Sequence, residues 1–397
     1  MKSKSLIVQK YGGSSVATPE KIKAIANHLK LLHEKNISLV VVLSAMGKTT
    51  NNLISLANEF SLNPNKRDLD FLVSTGEMQT VSLMSIYLQE LGIESVCLTG
   101  MQAGIITNEN HSHAFIKSIN NKKIKSYLNE NKIILVAGFQ GVTQNGEITT
   151  LGRGGSDTTA VALASSLNCP CEIYTDVNSV KTVDPNSYKS AKSLHQISYD
   201  EMMEMAVNGA KVFEPRSVEL AKKNNINLYL GKTLETDKSL GSIVNNCLDF
   251  EEMPIKNIST KDNHSIINIE IEKDQSINQI LNLISNLNIN YEMTSLTETE
   301  KRKIFSFSYP SILDEKVKLE VEKITKNFHI LSNLVKLTIV GIGLSTHHNY
   351  LKQIVEILNT NNITIIQLSV SEISISILIN LKDKEKAIEL IAKEFDL

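Results

Sequence analysis

The sequence predicts an α/β protein, a mostly parallel sheet covered by helices on both faces and followed by two smaller βαββαβ-like units. Three observations predict it. Near-continuous apolar strand segments alternate with helical periodicity up to about residue 249. Lys10, Ser44, Gly138 and Thr175 fall at the carboxyl ends of strands in that stretch, where ligands bind in such sheets. Beyond Asp249 only Gly341 and Gly343 remain among the glycines, and Asn, Ile, Lys and Glu dominate.

The elements follow in order. Leu6–Lys10 reads as a buried strand running into Gly12-Gly13. Thr18 is placed to cap a helix with Pro19 as its first residue, and Ile22, Ile25, Ala26, Leu29 and Leu32 share one face. Ser38–Leu43 is a β-branched strand ending at Ser44, and a helix is predicted over 79–91. Ile133–Ala137 is a further buried strand, and 157–167 is a small-residue helix. Glu172–Tyr174 is a strand ending at Thr175-Asp176. Ser198 and Glu201 form a capping box ahead of Met202, Met203 and Met205. In the first C-terminal unit, strands are predicted over 266–271 and 304–309, with helices over 277–287 and 316–328. In the second, strands are predicted over 334–342, 363–368 and 373–379, with helices over 349–358 and 384–395. The domains are thus read as 1–249, 250–330 and 331–397.

Composition excludes several classes. The chain has 397 residues, 42% hydrophobic and 21% charged, with a net charge of −2. That suits a globular protein and supplies no basic field for nucleic acid. No apolar run approaches the ~20 residues of a membrane span, and the N-terminus lacks the features of a signal peptide. A cytoplasmic setting is expected. Cys97, Cys169, Cys171 and Cys247 are too few and scattered for a disulfide framework or a zinc site, and read as small buried hydrophobes. Lys301–Lys303 reads as a solvated charge run. Arginine occurs four times (Arg67, Arg153, Arg216 and Arg302) in a lysine-rich chain, so an Arg in a glycine loop is informative.

Four loops carry candidate chemistry. In Lys10-Tyr11-Gly12-Gly13-Ser14-Ser15 the glycines admit phosphate oxygens to the backbone, and Lys10 brings a mobile charge. Gly152-Arg153-Gly154-Gly155-Ser156-Asp157 sets a planar cation before a helix start that favours anions. Asp157 is placed to orient a lysine or hold Mg²⁺. Ser74-Thr75-Gly76-Glu77 offers Glu77 to an ammonium group, and Lys211 follows Gly209-Ala210. Gly47-Lys48-Thr49 is no P-loop, because Val42 stands where its first glycine belongs. Taken singly, each loop also has a plain reading: a turn, a first-turn acid or a helix-end cation.

Together with Ser44-Ala45-Met46-Gly47-Lys48-Thr49-Thr50-Asn51 and Gly209-Ala210-Lys211-Val212, these motifs resemble the ordered set of the aspartate kinases. The resemblance covers about 6–245 and 334–397. It implies an amino-acid-kinase fold with paired C-terminal ACT modules. It also implies transfer of the ATP γ-phosphoryl group, with Mg²⁺, to the side-chain carboxylate of L-aspartate, the first step toward lysine, threonine and methionine. It implies that Lys10 and Lys211 neutralise the phosphoryl group and that Gly12, Gly13 and Ser14 cradle phosphates with Gly154, Gly155 and Ser156. Arg153 would bind the α-carboxylate and Glu77 the α-ammonium, with Ser44 and Thr50 positioning the substrate. Asp157 would order the lysines and the metal-nucleotide, and Thr175 and Asp176 would meet the base or ribose. No metal ligand set of the protein's own is implied.

The sequence departs from the family at Val177–Asn186, where a Tyr and an Arg are missing and Lys181 stands as a substitute. The first ACT loop reads Ile271–Ser276, and the second has His348-Asn349 where Pro-Gly is common. Ser371 and Glu372 fall by the effector strand, so lysine or threonine is the implied effector and a homodimer through the ACT modules the implied assembly. The alternatives are an ACT platform without effector, an acid kinase for another amino acid, and an amino-acid-binding regulator with an inactive kinase part.

Overall fold

The computed structural model describes residues 5–246, 255–271, 277–287, 289, 291–298, 303–344 and 348–397. Cys247, Lys301, Arg302 and the Glu272–Ser276 loop lie outside the described residues. The chain divides into two compact units. The first holds Met1–Val180, Ser193–Ala206 and Lys211–Asp249. The second holds Lys181–Lys192, Val207–Ala210 and Phe250–Leu397. Two stretches within the first 249 residues therefore belong to the C-terminal body. Val183 shows why, being 1% exposed in a core with Ile258, Val335 and Ile339.

To residue 246 the chain forms β1 (Ser5–Tyr11), α1 (Pro19–Glu34), β2 (Ile37–Leu43), α2 (Thr49–Phe60), α3 (Lys66–Val73), α4 (Thr75–Glu90), β3 (Ser95–Leu98), β4 (Ile105–Thr107), β5 (Ile116–Ile119), α5 (Lys122–Asn129) and β6 (Ile133–Ala137). It continues with β7 (Gln140–Val142), β8 (Ile148–Thr150), α6 (Gly155–Leu167), β9 (Cys171–Thr175), β10 (Val180–Lys181), β11 (Ser193–Leu194), β12 (Gln196–Ser198), α7 (Tyr199–Val207), α8 (Pro215–Asn224), β13 (Leu228–Lys232) and β14 (Ser242–Asn245). The main sheet has the order β12-β14-β13-β9-β1-β2-β6-β3. Every neighbouring pair is parallel except β13 with β14. A small sheet has the order β5-β4-β7-β8, and β10 pairs with β11 in a two-stranded ribbon.

Strand alternation decides what faces what. Tyr11, Leu39, Val41, Leu43 and Leu135 pack with Ile25 and Leu29 of α1 and Met84 and Leu88 of α4. Val8 and Lys10 turn to the opposite face, where α6 lies against β1 and β2. Burying each such aliphatic side chain stabilises the sheet by roughly 1.5–3 kcal/mol. Thr18 caps α1 by accepting from the Lys21 N–H at 3.4 Å. The Ser198–Glu201 box is realised in both directions, at 3.0 and 3.2 Å.

The C-terminal unit contains β15 (Asn257–Ile271), α9 (Ile277–Leu287), β16 (Glu292–Glu298), β17 (Lys303–Pro310), α10 (Asp314–Val321), β18 (Phe328–Val340), α11 (His348–Thr360), β19 (Gln367–Val370), β20 (Ser374–Asn380) and α12 (Lys384–Glu394). Its sheet has the order β16-β17-β15-β18-β20-β19. The repeat is βαββα, with β18 serving both halves. Ile280 and Ile284 of α9 and Val317 of α10 pack on Ile267, Ile269 and Phe307. Ile354 of α11 and Ile388 of α12 pack on Val335, Leu337 and Ile377.

Several sequence expectations are corrected. The helix predicted over 79–91 begins at Thr75, which places Glu77 in its first turn. The helix predicted over 316–328 spans Asp314–Val321, and Phe328 opens β18 instead. The strand predicted over 363–368 is found at Gln367–Val370. Strand β16 was not anticipated, because its residues are largely exposed and polar. Cys169 and Cys171 are buried as expected, whereas Cys97 is exposed.

Candidate active site

The strand ends of the main sheet open into a cleft of about 270 Å³. Its walls include Lys10, Gly13, Ser44, Thr50, Glu77, Arg153, Gly154, Gly155, Ser156 and Asp157. Sequence positions from 10 to 157 thus meet in one cavity.

Lys10 reaches it because alternation along β1 aims it at α6. Its Nζ lies 2.6 Å from Asp157 Oδ1, with the two side chains 10% and 12% exposed. Asp157 sits in the first turn of α6, where the helix dipole favours negative charge. Gly13 brings the Lys10 loop against the Ser44–Asn51 segment: a Cβ there would stand 2.9 Å from the Ala45 carbonyl oxygen.

Glu77 is 3% exposed. Its Oε1 accepts from the Ala45 N–H at 3.2 Å, while Oε2 has no hydrogen-bond partner. Burial pushes its carboxyl up to about 7. Such an oxygen on a cleft wall is a waiting acceptor for a cation or an N–H donor.

Arg153 is exposed on a loop between Gly152 and Gly154, at φ 82° and 66°. Gly154 caps α6 in the left-handed region that favours glycine. The guanidinium therefore projects from a bend that ends in a helix N-terminus. Two cations, one unsatisfied carboxylate and a helix start together suit two anionic reactants, one of which carries an ammonium group.

Residues 5–232 match the amino acid kinase family, and residues 337–395 match an ACT domain. The aspartokinase of Geobacillus stearothermophilus is 40% identical over 398 residues, covering 99% of this chain and 97% of that protein. The chain belongs to the amino acid kinase family, among the aspartokinases. It is a kinase that phosphorylates aspartate. Two solved structures share this aspartokinase's fold. E. coli aspartokinase III in complex with aspartate and ADP (R-state) superposes with a TM-score of 0.82 at 21% identity, covering 98% of this chain and 99% of that one. E. coli aspartokinase III in complex with lysine and aspartate (T-state) gives 0.77 at 22% identity, covering 98% and 99%.

Not every residue assigned from sequence lines the aspartokinase cleft. Gly12, Ser14, Thr175, Asp176 and Lys211 are absent from its walls. Gly12 and Thr175 stand just outside. The Gly12 N–H donates to the Tyr174 carbonyl at 3.3 Å, and the Thr233 hydroxyl donates to the Thr175 carbonyl at 2.9 Å. Thr233 Oγ1 also lies 2.6 Å from Ser15 Oγ, so the ends of β1 and β9 share one rim. Ser14 is exposed, its carbonyl taken by Lys21 Nζ at 2.8 Å. Asp176 and Lys211 are exposed, and Lys181 falls in the C-terminal unit. Ser371 and Glu372 are exposed at the turn from β19 to β20, where the Ser371 N–H donates to the Ser374 carbonyl at 2.8 Å.

Sequence reasoning missed Phe139, which lines the cleft at φ 70°, an unusual conformation for an aromatic residue. Its N–H donates to Thr159 Oγ1 at 3.1 Å. Glu214 was missed as well. Its side chain abuts Gly154, and burial, then Asp157, raise its carboxyl. Among the described residues no cluster of three or more His, Cys, Asp or Glu side chains suits a metal ion. Asp157 is the carboxylate beside Lys10, a hard oxygen donor fit for a Mg²⁺ carried in on phosphates.

Proposed function

We propose that this cleft carries the γ-phosphoryl group of ATP to the β-carboxylate of L-aspartate by bringing the two anions together between fixed cations. The observation that carries the reading is the buried, unpartnered Oε2 of Glu77 on the same wall system as Arg153 and Lys10. An amino acid with ammonium on Glu77 and α-carboxylate on Arg153 satisfies both groups. Its β-carboxylate is left free to attack.

No general base is needed, because that carboxylate is ionised at neutral pH. Lys10, held by Asp157, stabilises charge on the transferring group, and the start of α6 adds the backbone N–H of Ser156, the Gly155 N–H being taken by the Gly152 carbonyl at 3.0 Å. Mg²⁺ would neutralise phosphate charge when bound, with Asp157 as the protein oxygen nearest to hand. Ser44 and Thr50 present hydroxyls to the substrate side. Gly12, Gly13 and Ser14, with the Thr175-Asp176 strand end, form the nucleotide side. Lys211, three residues before Glu214, is the second cation offered to the phosphates.

Residues 250–330 and 331–397 are proposed as two ACT modules, the first divergent. Ser371 and Glu372 are the effector contacts offered to lysine or threonine, and pairing of these modules makes the homodimer. The product feeds lysine, threonine and methionine synthesis. The test is direct: purified protein with Mg-ATP, hydroxylamine and a panel of amino acids should give hydroxamate with L-aspartate. Hydroxamate with glutamate alone, or with none, overturns the reading; nucleotide-independent lysine binding with no hydroxamate favours the inactive-kinase regulator.

A further inference from the structure

We propose that Asp70 is a positioning residue for aspartate recognition, setting the spacing between Glu77 and Arg153. The inference rests on the roles proposed above for those two side chains. Asp70 does not line the cleft. It acts through the elements that carry them.

Asp70 lies in α3 and is 1% exposed. Its carboxylate accepts from the Ser112 N–H at 2.9 and 3.1 Å and from the Thr150 N–H at 3.0 Å. The Thr150 hydroxyl donates to it at 2.6 Å, and the Ser112 hydroxyl at 3.5 Å. His111 Nδ1 lies 3.1 Å from Oδ2. A buried carboxylate that gathers so many donors from a strand end and a loop is a junction between elements, far beyond what one helical acid needs.

Both sides of the junction lead to the proposed substrate groups. On the α3 side, the Asp70 carbonyl accepts from the Ser74 N–H at 3.1 Å. Ser74 is the N-cap of α4, and Glu77 stands in that helix's first turn. Gln140 Nε2 donates to the Ser74 carbonyl at 2.8 Å, pinning the same point. On the other side, Thr150 ends β8 three residues before Arg153. Arg216 closes the loop from behind. It donates to the Leu151 carbonyl at 3.2 Å and to the Ala114 carbonyl at 2.8 Å, with its guanidinium 4.4 Å over the Phe115 ring. Only Gly152, Arg153 and Gly154 then remain between the tethered residues and α6.

An α-amino acid presents its ammonium and carboxylate at a fixed separation. A reader that uses both must hold its own two charges at a matching distance, and errors near 1 Å are costly. The α3–β8 junction supplies that constraint, while among the described residues no hydrogen bond links Asp70, Ser112 or Thr150 to the nucleotide rim at Gly12 and Thr175. Loosening it should therefore weaken aspartate and spare ATP.

The test uses the full chain and steady-state kinetics for both substrates. Thr150→Val removes one donor to Asp70 and keeps the backbone bond. Asp70→Asn sets an NH₂ group against a shell of donors. Thr150→Val should raise the aspartate KM by about 5- to 20-fold and leave the ATP KM within about 2-fold. Asp70→Asn should do more in the same direction; if it fails to fold, Thr150→Val decides. In an Arg153→Lys background, Thr150→Val should add little, since both changes act through one contact. Equal rises in both KM values, or full multiplication of the two effects, overturn the inference. A raised aspartate KM in Arg153→Lys beside an unchanged one in Thr150→Val overturns it alone. An unchanged aspartate KM in Arg153→Lys overturns the site assignment and this inference with it.

Discussion

Lys10 Nζ and Asp157 Oδ1 are 2.6 Å apart, which joins the end of the central strand to the first turn of the helix above it. The pair holds the ammonium over the cleft. Asp157→Asn should lower kcat by about 100-fold, as expected when a transition-state cation is misplaced, with the aspartate KM changed less than about 3-fold. Removing one partner also leaves a nearly buried charge alone. Urea denaturation of Lys10→Ala and Asp157→Ala should show losses of about 3 kcal/mol each, and the double variant should lose less than their sum.

Arg153 should resist even its nearest substitute. Arg153→Lys keeps the charge and loses the planar fork that grips a carboxylate at two points. The aspartate KM should rise at least about tenfold, and nucleotide affinity, read by calorimetry with ADP, should stay within about 3-fold.

The pH dependence of aspartate binding should report Glu77. Burial raises its carboxyl from 4.5 to about 7. Only the ionised form attracts the α-ammonium, so the KM for aspartate should climb by up to ~tenfold per pH unit below about 7 and level off above it. Glu77→Gln should flatten that limb while raising KM throughout.

Stability should move the other way. The folded-state value lies above the unfolded one, so the folded chain binds this proton more tightly. The associated stability is complete below about 4.5 and is lost as pH rises through about 7. A shift of this size corresponds to ~3 kcal/mol at most. Glu77→Gln should therefore melt higher than the parent at pH 8 and nearly the same at pH 4, by scanning calorimetry with no ligand.

Gly154→Ala should be damaging although it adds one methyl group. The residue adopts φ 66°, and a Cβ would meet the Glu214 side chain at 2.6 Å. A cost of about 1–3 kcal/mol is expected from the backbone alone, together with a fall in kcat/KM for aspartate as the Arg153 loop shifts. Normal stability and activity in this variant would refute the account of that loop.

Much of this was legible in the residues. The strands at Ile133–Ala137 and Ile37–Leu43 are runs of apolar residues with one possible environment, and the amphipathic helix at Ile277–Leu287 is found as predicted. Lys10, Glu77, Arg153 and Asp157 were readable because each sits in a short motif with glycine within two residues of it. Asp70 was not, since its partners lie 41 to 80 positions away and in sequence it is one more acid on a polar helix. Arg216 was noticed only as a rare residue; its value comes from two carbonyls in other segments. Strand β16 escaped because an edge strand with most side chains in water shows no apolar alternation.

In the C-terminal unit, strand β18 pairs with β15 along both of their lengths and with β20 on its other side. That shared spine makes the two halves one cooperative body. Neither can melt alone without stripping partners from its twin, so their slowest-exchanging amides should open together, as a single protected set.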